Sequence, residues 1–443
     1  MAGNAPTEGA DRRQGSDGAL SRMAYAVAGQ LARAAARLAP DGEGKLRRSL
    51  HARRGIRERY ARWGNAGRDR ERPLLWMHAP SVGEGLQARP VLQLARERRP
   101  ELQLAYSYFS PSAASFAAAL DVDFTDYLPF DTTGDARAVL DALRPDALVF
   151  SKLDVWPTLV REASARQVPL GMVSATLAEG SSRRRGPAAA MLRGAYSRLD
   201  RVGAIDPSDA ERLVELGVRH QAISVTGDTR YDQVWMRARS VYLTSPLLAP
   251  LVSDRPTLVA GSTWPADEAV LLPAWLAASR TVAGARMVIA PHEPAPGHLL
   301  PIERWADGAG VSLARLGTPA ATDADIVLVD RVGVLGELYA LATVAYVGGG
   351  FHSAGLHSVL EPAAFGAPVI FGPRWQGSRD AGLLGAAGGG APVADEGELT
   401  SQLVAWLGDA TAQASAGASA RETVQAGLGA AERSFELVES LLK

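Results

Sequence analysis

The stretch VGGGFHSAGLHSVLEPAAFGAPVIFGP, Val347–Pro373, closes one apolar run and opens another. Between them lie Gly348–Gly350, two histidines and a single acid, Glu361. Short apolar runs bounded by glycine and proline are strands buried on both faces. A buried strand that enters a glycine-rich turn, then a helix, then a second buried strand is one step of a parallel sheet. The fold follows if the step repeats.

It does repeat. Upstream, apolar runs stand at Leu74–Ala79, Leu102–Phe109, Asp146–Ser151, Val168–Ala175, Arg201–Ile205 and Ile223–Gly227. Helical patterns at Gly85–Glu97, Pro111–Leu120 and Trp156–Ala165 separate some of them. Val234–Arg255 breaks the alternation and reads as a linker. The runs then resume at Pro256–Ser262, Ala285–Pro291, Ala324–Asp330, Thr343–Gly349 and Ala367–Pro373, with closing helices at Gln402–Leu407 and Arg421–Leu442. The expectation is α/β throughout: two doubly wound, Rossmann-like domains, 73–233 and 256–443, facing a central cleft.

The chain has 443 residues, 47% hydrophobic, with formal net charge −1 and no cysteine. That length suits two or three domains. The charge gives no footprint for nucleic acid, and the absence of cysteine excludes disulfides and thiolate zinc sites. The seven histidines lack metal-ligand spacing, so no structural metal is expected; no cofactor is expected either. Residues 1–18 are polar, glycine-rich and expected to be disordered. Residues 19–72 read as a basic amphipathic segment. Leu20, Met23, Val27, Leu31 and Leu38 recur at helical spacing among Arg22, Arg33 and Arg37, and Lys45–Trp63 is strongly basic. Such a segment either lies on an anionic membrane surface or packs on its own domain.

In open α/β sheets ligands bind beyond the carboxyl ends of the strands. Pro80–Gly85 follows the first run. Ser81 and Gly83 suit a tight turn, and Glu84 falls at a helix start, as a dipole-stabilised cap or as a general base. Lys152 and Asp154 follow Asp146–Ser151, either to touch substrate or to pair with each other. Arg230 follows Ile223–Gly227, for an anion or as a surface residue. Ser262 and Thr263 offer hydroxyls near a helix start, for phosphate or for capping. His292, after Pro291, can donate to a phosphate or serve only as a loop residue. In the opening stretch Gly349 and Gly350 permit close approach of a ligand. His357 and Ser358 open a helix, and Glu361, one turn inside it, can accept from ribose hydroxyls. No GxGxxG follows the first strand, which argues against a dinucleotide dehydrogenase. A nucleotide site in the second domain and a candidate base in the first describe a glycosyltransferase.

Eight pieces carry a resemblance: HAPSVGEG, YSYFSPSA, YLPFD, DVWP, VTGDTRYD, VAGSTW, VDRVGVLGELY and the opening stretch. In this order, over about Leu74–Pro373, the chain resembles the bacterial 3-deoxy-D-manno-octulosonic acid (Kdo) transferases. The resemblance implies a GT-B fold, CMP-Kdo as donor and a lipid A precursor, lipid IVA, as acceptor. It also implies metal-independent inverting transfer at the cytoplasmic face of the bacterial inner membrane, in lipopolysaccharide biosynthesis. Glu84 falls on the family's catalytic base and Arg230 on a catalytic lysine. Nucleotide contacts fall on Pro291, His292, Val332, Gly333, Val334, Ser358, Val359, Leu360 and Glu361. The departures are Lys152 for an acid, Arg230 for lysine, Pro291 for arginine, Ser358 for asparagine, Leu356 for glycine, and an Arg-bearing N-terminal helix for an apolar anchor. They leave two alternatives: a GT-B transferase with another sugar nucleotide, or a non-catalytic paralogue that binds lipid or a partner.

Overall fold

The computed structural model describes residues 25, 27–35 and 44–442. It divides into two compact units, Met1–Gln233 with Gly429–Lys443, and Val234–Leu428. The expectation for residues 1–18 lies outside the described residues, as do Leu20, Arg22, Met23, Arg37 and Leu38.

The first unit is built on a parallel sheet of β1 (Leu74–His78), β2 (Gln103–Tyr108), β3 (Phe124–Tyr127), β4 (Ala147–Ser151), β5 (Leu170–Ala175), β6 (Arg201–Ala204) and β7 (Ile223–Val225). Their order is β3-β2-β1-β4-β5-β6-β7. β1, β2, β4 and β5 are buried along their whole length, so each reads as a largely apolar run with one or two buried polar members. β3 was not expected. It is an edge strand whose FTDY alternates too little to announce itself. Trp76, Phe150 and Met172 fill one face of the sheet, and Met77, Val149 and Val173 the other.

Two corrections follow from the chain's path. The last helix, Ala430–Glu439, was assigned to the second domain and belongs to the first unit. Phe435, Val438 and Leu441 pack there with Leu75 and Met77, each burial contributing about 1.5–3 kcal/mol. Asp232 fixes the start of that helix, accepting from Gly429 N at 2.8 Å and Ala431 N at 2.9 Å. The expected linker is also not irregular throughout. The helix Thr229–Ser240 runs through its first residues, and Leu248 and Leu251 are buried in the second unit's core.

The basic stretch forms two helices, Lys45–Ala52 and Ile56–Ala66, separated at Gly55 in the left-handed region. Three of its cations, Arg53, Arg57 and Arg59, turn inward. Arg53 is buried, donates to the carbonyls of Leu128 and Phe109 at 2.9 Å each, and lies 3.9 Å over the Phe109 ring. Burial lowers its pKa to about 10. Arg59 grips Asp126 through two nitrogens, at 2.6 and 2.9 Å, and Arg57 holds Asp135 at 2.5 Å. Residues 27–35 are helical as expected, with Val27 and Leu31 exposed. No helix among the described residues is long and apolar enough to cross a membrane.

The second unit repeats the plan with β8 (Thr257–Thr263), β9 (Arg286–Pro291), β10 (Leu313–Arg315), β11 (Ile326–Leu328), β12 (Val344–Val347), β13 (Val369–Phe371) and β14 (Gly390–Pro392). The order is β10-β11-β9-β8-β12-β13-β14, again all parallel. β10 and β14 are three-residue edge strands that the apolar pattern does not reveal. The helices Pro265–Thr281 and Glu396–Gly408 cover one face through Leu271, Trp275, Leu399 and Leu403.

Candidate active site

In the first unit the candidate residues gather where β1 and β4 end. Helix Val82–Arg98 starts directly after β1, with Ser81 as N-cap and Glu84 in its first turn. Gly83 lies inside that helix, where an added methyl group would make only an ordinary contact with Ser81 Oγ at 3.8 Å, so no tight turn requires it. The Ser81 hydroxyl caps no backbone amide and instead donates to Glu84 Oε2. Glu84 Oε1 lies 3.5 Å from Lys152 Nζ, and Ser151 Oγ donates to the Glu84 carbonyl at 3.0 Å. The buried Tyr106 hydroxyl near this turn has no hydrogen-bond partner, and burial with the Glu84 charge raises its pKa.

Of the two alternatives for Lys152 and Asp154, the pairing with each other does not occur; each goes elsewhere. Lys152 turns to Glu84 from a left-handed backbone, φ 65°, anchored by its N–H to Val173 O at 2.9 Å. Asp154 sits 3.3 Å from His78 Nε2 and accepts from Trp156 Nε1 at 3.0 Å, with Arg183 at 3.9 Å. Burial alone would raise the Asp154 pKa, but His78, Trp156 and Arg183 together hold it below the usual value. His78 is wholly buried, and its Nδ1 faces Ser107 O and Oγ at 3.0 Å. His78 is therefore a residue of this cluster that strand-end reading passed over, although it stands in a motif quoted above, whereas Trp156 stands with Asp154 after the strand end.

Arg230 lies in the first turn of Thr229–Ser240 and is tied to buried Asp228 through Nε at 2.8 Å and Nη2 at 2.6 Å. Asp228 in turn accepts from Gln87 at 3.4 Å, and Thr229 donates to the Gln87 carbonyl at 2.7 Å. The helix that carries Glu84 thus also holds the turn that carries Arg230.

In the second unit the organiser is a residue missed in the sequence. Asp267, fully buried in the first turn of Pro265–Thr281, accepts four hydrogen bonds. They come from Trp264 N (3.0 Å), Gly349 N (2.8 Å), Phe351 N (3.1 Å) and Tyr346 Oη (3.1 Å). In the sequence Asp267 is only a carboxylate three residues past a strand-end tryptophan, which does not reveal the loop that folds back on it. The glycines serve this packing rather than an open approach to a ligand. A methyl group on Gly348 would lie 2.3 Å from Ser262 O, and one on Gly350 2.5 Å from Gly372 N. Gly349 needs its positive φ, 92°.

Around this loop four rings touch. Trp264 stacks on His352 at 4.3 Å and on His292 at 4.6 Å, and His292 lies 4.5 Å from His357. Trp264 Nε1 donates to His357 Nε2 at 3.3 Å. Burial, then the neighbouring His292, lowers the His357 pKa. Pro291 ends β9, and His292 N donates to Thr263 O at 2.9 Å. Thr263 gives its hydroxyl to Glu268 at 2.9 Å, whereas Ser262 stands before it in the left-handed region, φ 54°.

The helix after the loop starts later than expected. It spans Leu360–Ala364, so His357 and Ser358 precede it, Val359 is the N-cap, and Glu361 lies in its first turn. Burial raises the Glu361 pKa, only partly offset by Arg237. Arg237 reaches toward Gly333 O at 3.5 Å and packs against Gly336. Val332 is 77% exposed, Gly333 has φ 90°, and Val334 caps the short helix Leu335–Leu338. Among the described residues no three acidic or histidine side chains form a metal-holding group.

Comparison with known proteins gives likenesses in sequence and in fold. The family described as "3-Deoxy-D-manno-octulosonic-acid transferase (kdotransferase)" matches residues 54–233. The 3-deoxy-D-manno-octulosonic acid transferase of Bordetella pertussis is 29% identical, over 86% of this chain and 91% of its own. That of Haemophilus influenzae is 26% identical, over 73% and 76%. A solved structure, UDP-GlcNAc 2-epimerase from Neisseria meningitidis bound to UDP-GlcNAc, is 13% identical, with TM-score 0.61, over 83% of this chain and 100% of that one. The last likeness concerns the fold, and with the two seven-stranded sheets it bears out the GT-B class.

Proposed function

We propose that this chain is a divergent member of the Kdo transferase family and that it transfers Kdo from CMP-Kdo to a hydroxyl of a lipid A precursor. The observation that carries the reading is Glu84, at the end of β1 within the matched region, its two oxygens approached by Ser81 and Lys152. As a general base Glu84 takes the proton of the acceptor hydroxyl while that oxygen attacks the anomeric carbon and CMP departs. Attack from the face opposite the phosphate inverts the centre, and the step needs no metal. Arg230, held by Asp228, supplies positive charge on the same unit.

Pro291, His292, Val332–Val334 and Ser358–Glu361 form the nucleotide side, with Glu361 receiving ribose hydroxyls. Lipid IVA is the acceptor, and exposed Val27 and Leu31 meet the cytoplasmic membrane surface. A second reading, transfer from another sugar nucleotide, is favoured by Pro291, which puts no cation where a phosphate is expected. Calorimetry with CMP and UDP separates the two. The proposal expects CMP to bind wild type and binding to be lost in Glu361→Ala. Tighter binding of UDP would favour the second reading, and binding of neither would reject both.

A further inference from the structure

We propose that Lys152 selects an acceptor that carries an anionic oxygen group, carboxylate or phosphate, beside the attacking hydroxyl; this rests on Glu84 as the base. Lys152 Nζ faces Glu84 Oε1 at 3.5 Å, and the lysine side chain is 42% exposed. The neighbouring acid does not compete for it, because Asp154 is engaged by His78, Trp156 and Arg183. The lysine is also presented at a backbone cost. It is one of five non-glycine residues with positive φ, and three of these, Lys152, Ser174 and Ser262, stand at or next to strand carboxyl ends. Such strain persists where the surroundings over-determine it, and it clusters at binding sites.

Charge balance gives the inference its direction. Before reaction Glu84 is an anion and Lys152 its counter-ion. When the acceptor oxygen bonds to the anomeric carbon, its proton passes to Glu84 and the bond from the anomeric carbon to the phosphate oxygen breaks. Glu84 is then neutral, and the negative charge leaves with CMP. Lys152 loses its partner at that moment. An anionic group already on the acceptor replaces the lost carboxylate and keeps the ammonium paired through the transfer. A neutral acceptor leaves the ammonium without that partner.

The test uses the full-length protein with CMP present. The probes are methyl glucuronoside, its methyl ester and methyl glucoside 6-phosphate, titrated by NMR. The acid should bind about two- to fivefold tighter than the ester, the scale of a half-exposed ion pair. Lys152→Gln and Lys152→Met should both erase the preference, and Lys152→Glu should invert it. The phosphate arm tells whether the site takes either anion or the carboxylate alone. Equal binding of acid and ester to wild type, binding of neither, or an unchanged ratio in both neutral variants overturns the proposal. Glu84→Gln separates the two readings, since it should cut transfer sharply yet keep the preference for the acid or enlarge it, Lys152 having lost its carboxylate partner. If transfer survives in that variant, the base assignment fails while the Lys152 ratio still stands or falls on its own.

Discussion

Replacing Asp267 with alanine removes the acceptor for four groups at once. Three are backbone amides, those of Trp264, Gly349 and Phe351, and the fourth is the Tyr346 hydroxyl. Each buried donor left unpaired costs about 1–3 kcal/mol. Water can enter the vacated space and recover part of that, so the net loss should be about 3–5 kcal/mol, at the upper end for a single substitution. The loss should be local to the glycine-rich loop. Hydrogen exchange read at Gly349 and Phe351 should accelerate by about 100-fold or more, because each 1.4 kcal/mol is tenfold. Asp267→Asn is the control. Its amide keeps one acceptor oxygen but turns an NH₂ group toward donors, so it should fall between wild type and alanine. Urea denaturation of all three proteins checks the total. If exchange at Gly349 and Phe351 is unchanged in Asp267→Ala, and stability falls by less than about 1 kcal/mol, the loop is held by something else and the reasoning fails.

Gly350→Ala should displace the loop and weaken nucleotide binding, since its methyl group would meet Gly372 N at 2.5 Å; unchanged calorimetry would contradict this. Arg53→Ala should destabilise the first unit by about 3 kcal/mol, through lost hydrogen bonds to Leu128 and Phe109 carbonyls left buried; thermal unfolding measures it. His357 has a pKa lowered by burial and by His292. Its contribution to stability is therefore present above the usual histidine range and lost as pH falls through and below it. His357→Gln should lose less stability than wild type between about pH 7 and pH 5, and parallel melting curves across that range would refute this assignment.

The parallel strands were legible because burial on both faces leaves mostly apolar residues. LLWMH and ALVFS could hardly be read otherwise. The edge strands β3, β10 and β14 were not legible, since an edge strand need not be apolar throughout and three residues carry no periodicity. The return of Ala430–Glu439 to the first unit was hidden for a different reason. An amphipathic helix advertises an apolar face, not which sheet will cover it. Within the site, Glu84 and Glu361 could be found because strand-end position singles them out. Asp267 could not, because its role depends on the folded loop coming back to it from eighty residues away. The Lys152–Glu84 pair has the same origin, since it joins the ends of two strands that are adjacent in the sheet and distant in the chain.

The central claim is that Glu84 removes a proton from an acceptor hydroxyl during transfer of Kdo. The direct measurement supplies wild type and Glu84→Gln with CMP-Kdo and a lipid A precursor, and follows both CMP release and the glycosylated lipid. The account predicts transfer by wild type, and a fall of about 10²–10⁴-fold in Glu84→Gln with CMP binding retained. Undiminished transfer by the variant, or no transfer by wild type with any anionic lipid acceptor offered, would contradict it.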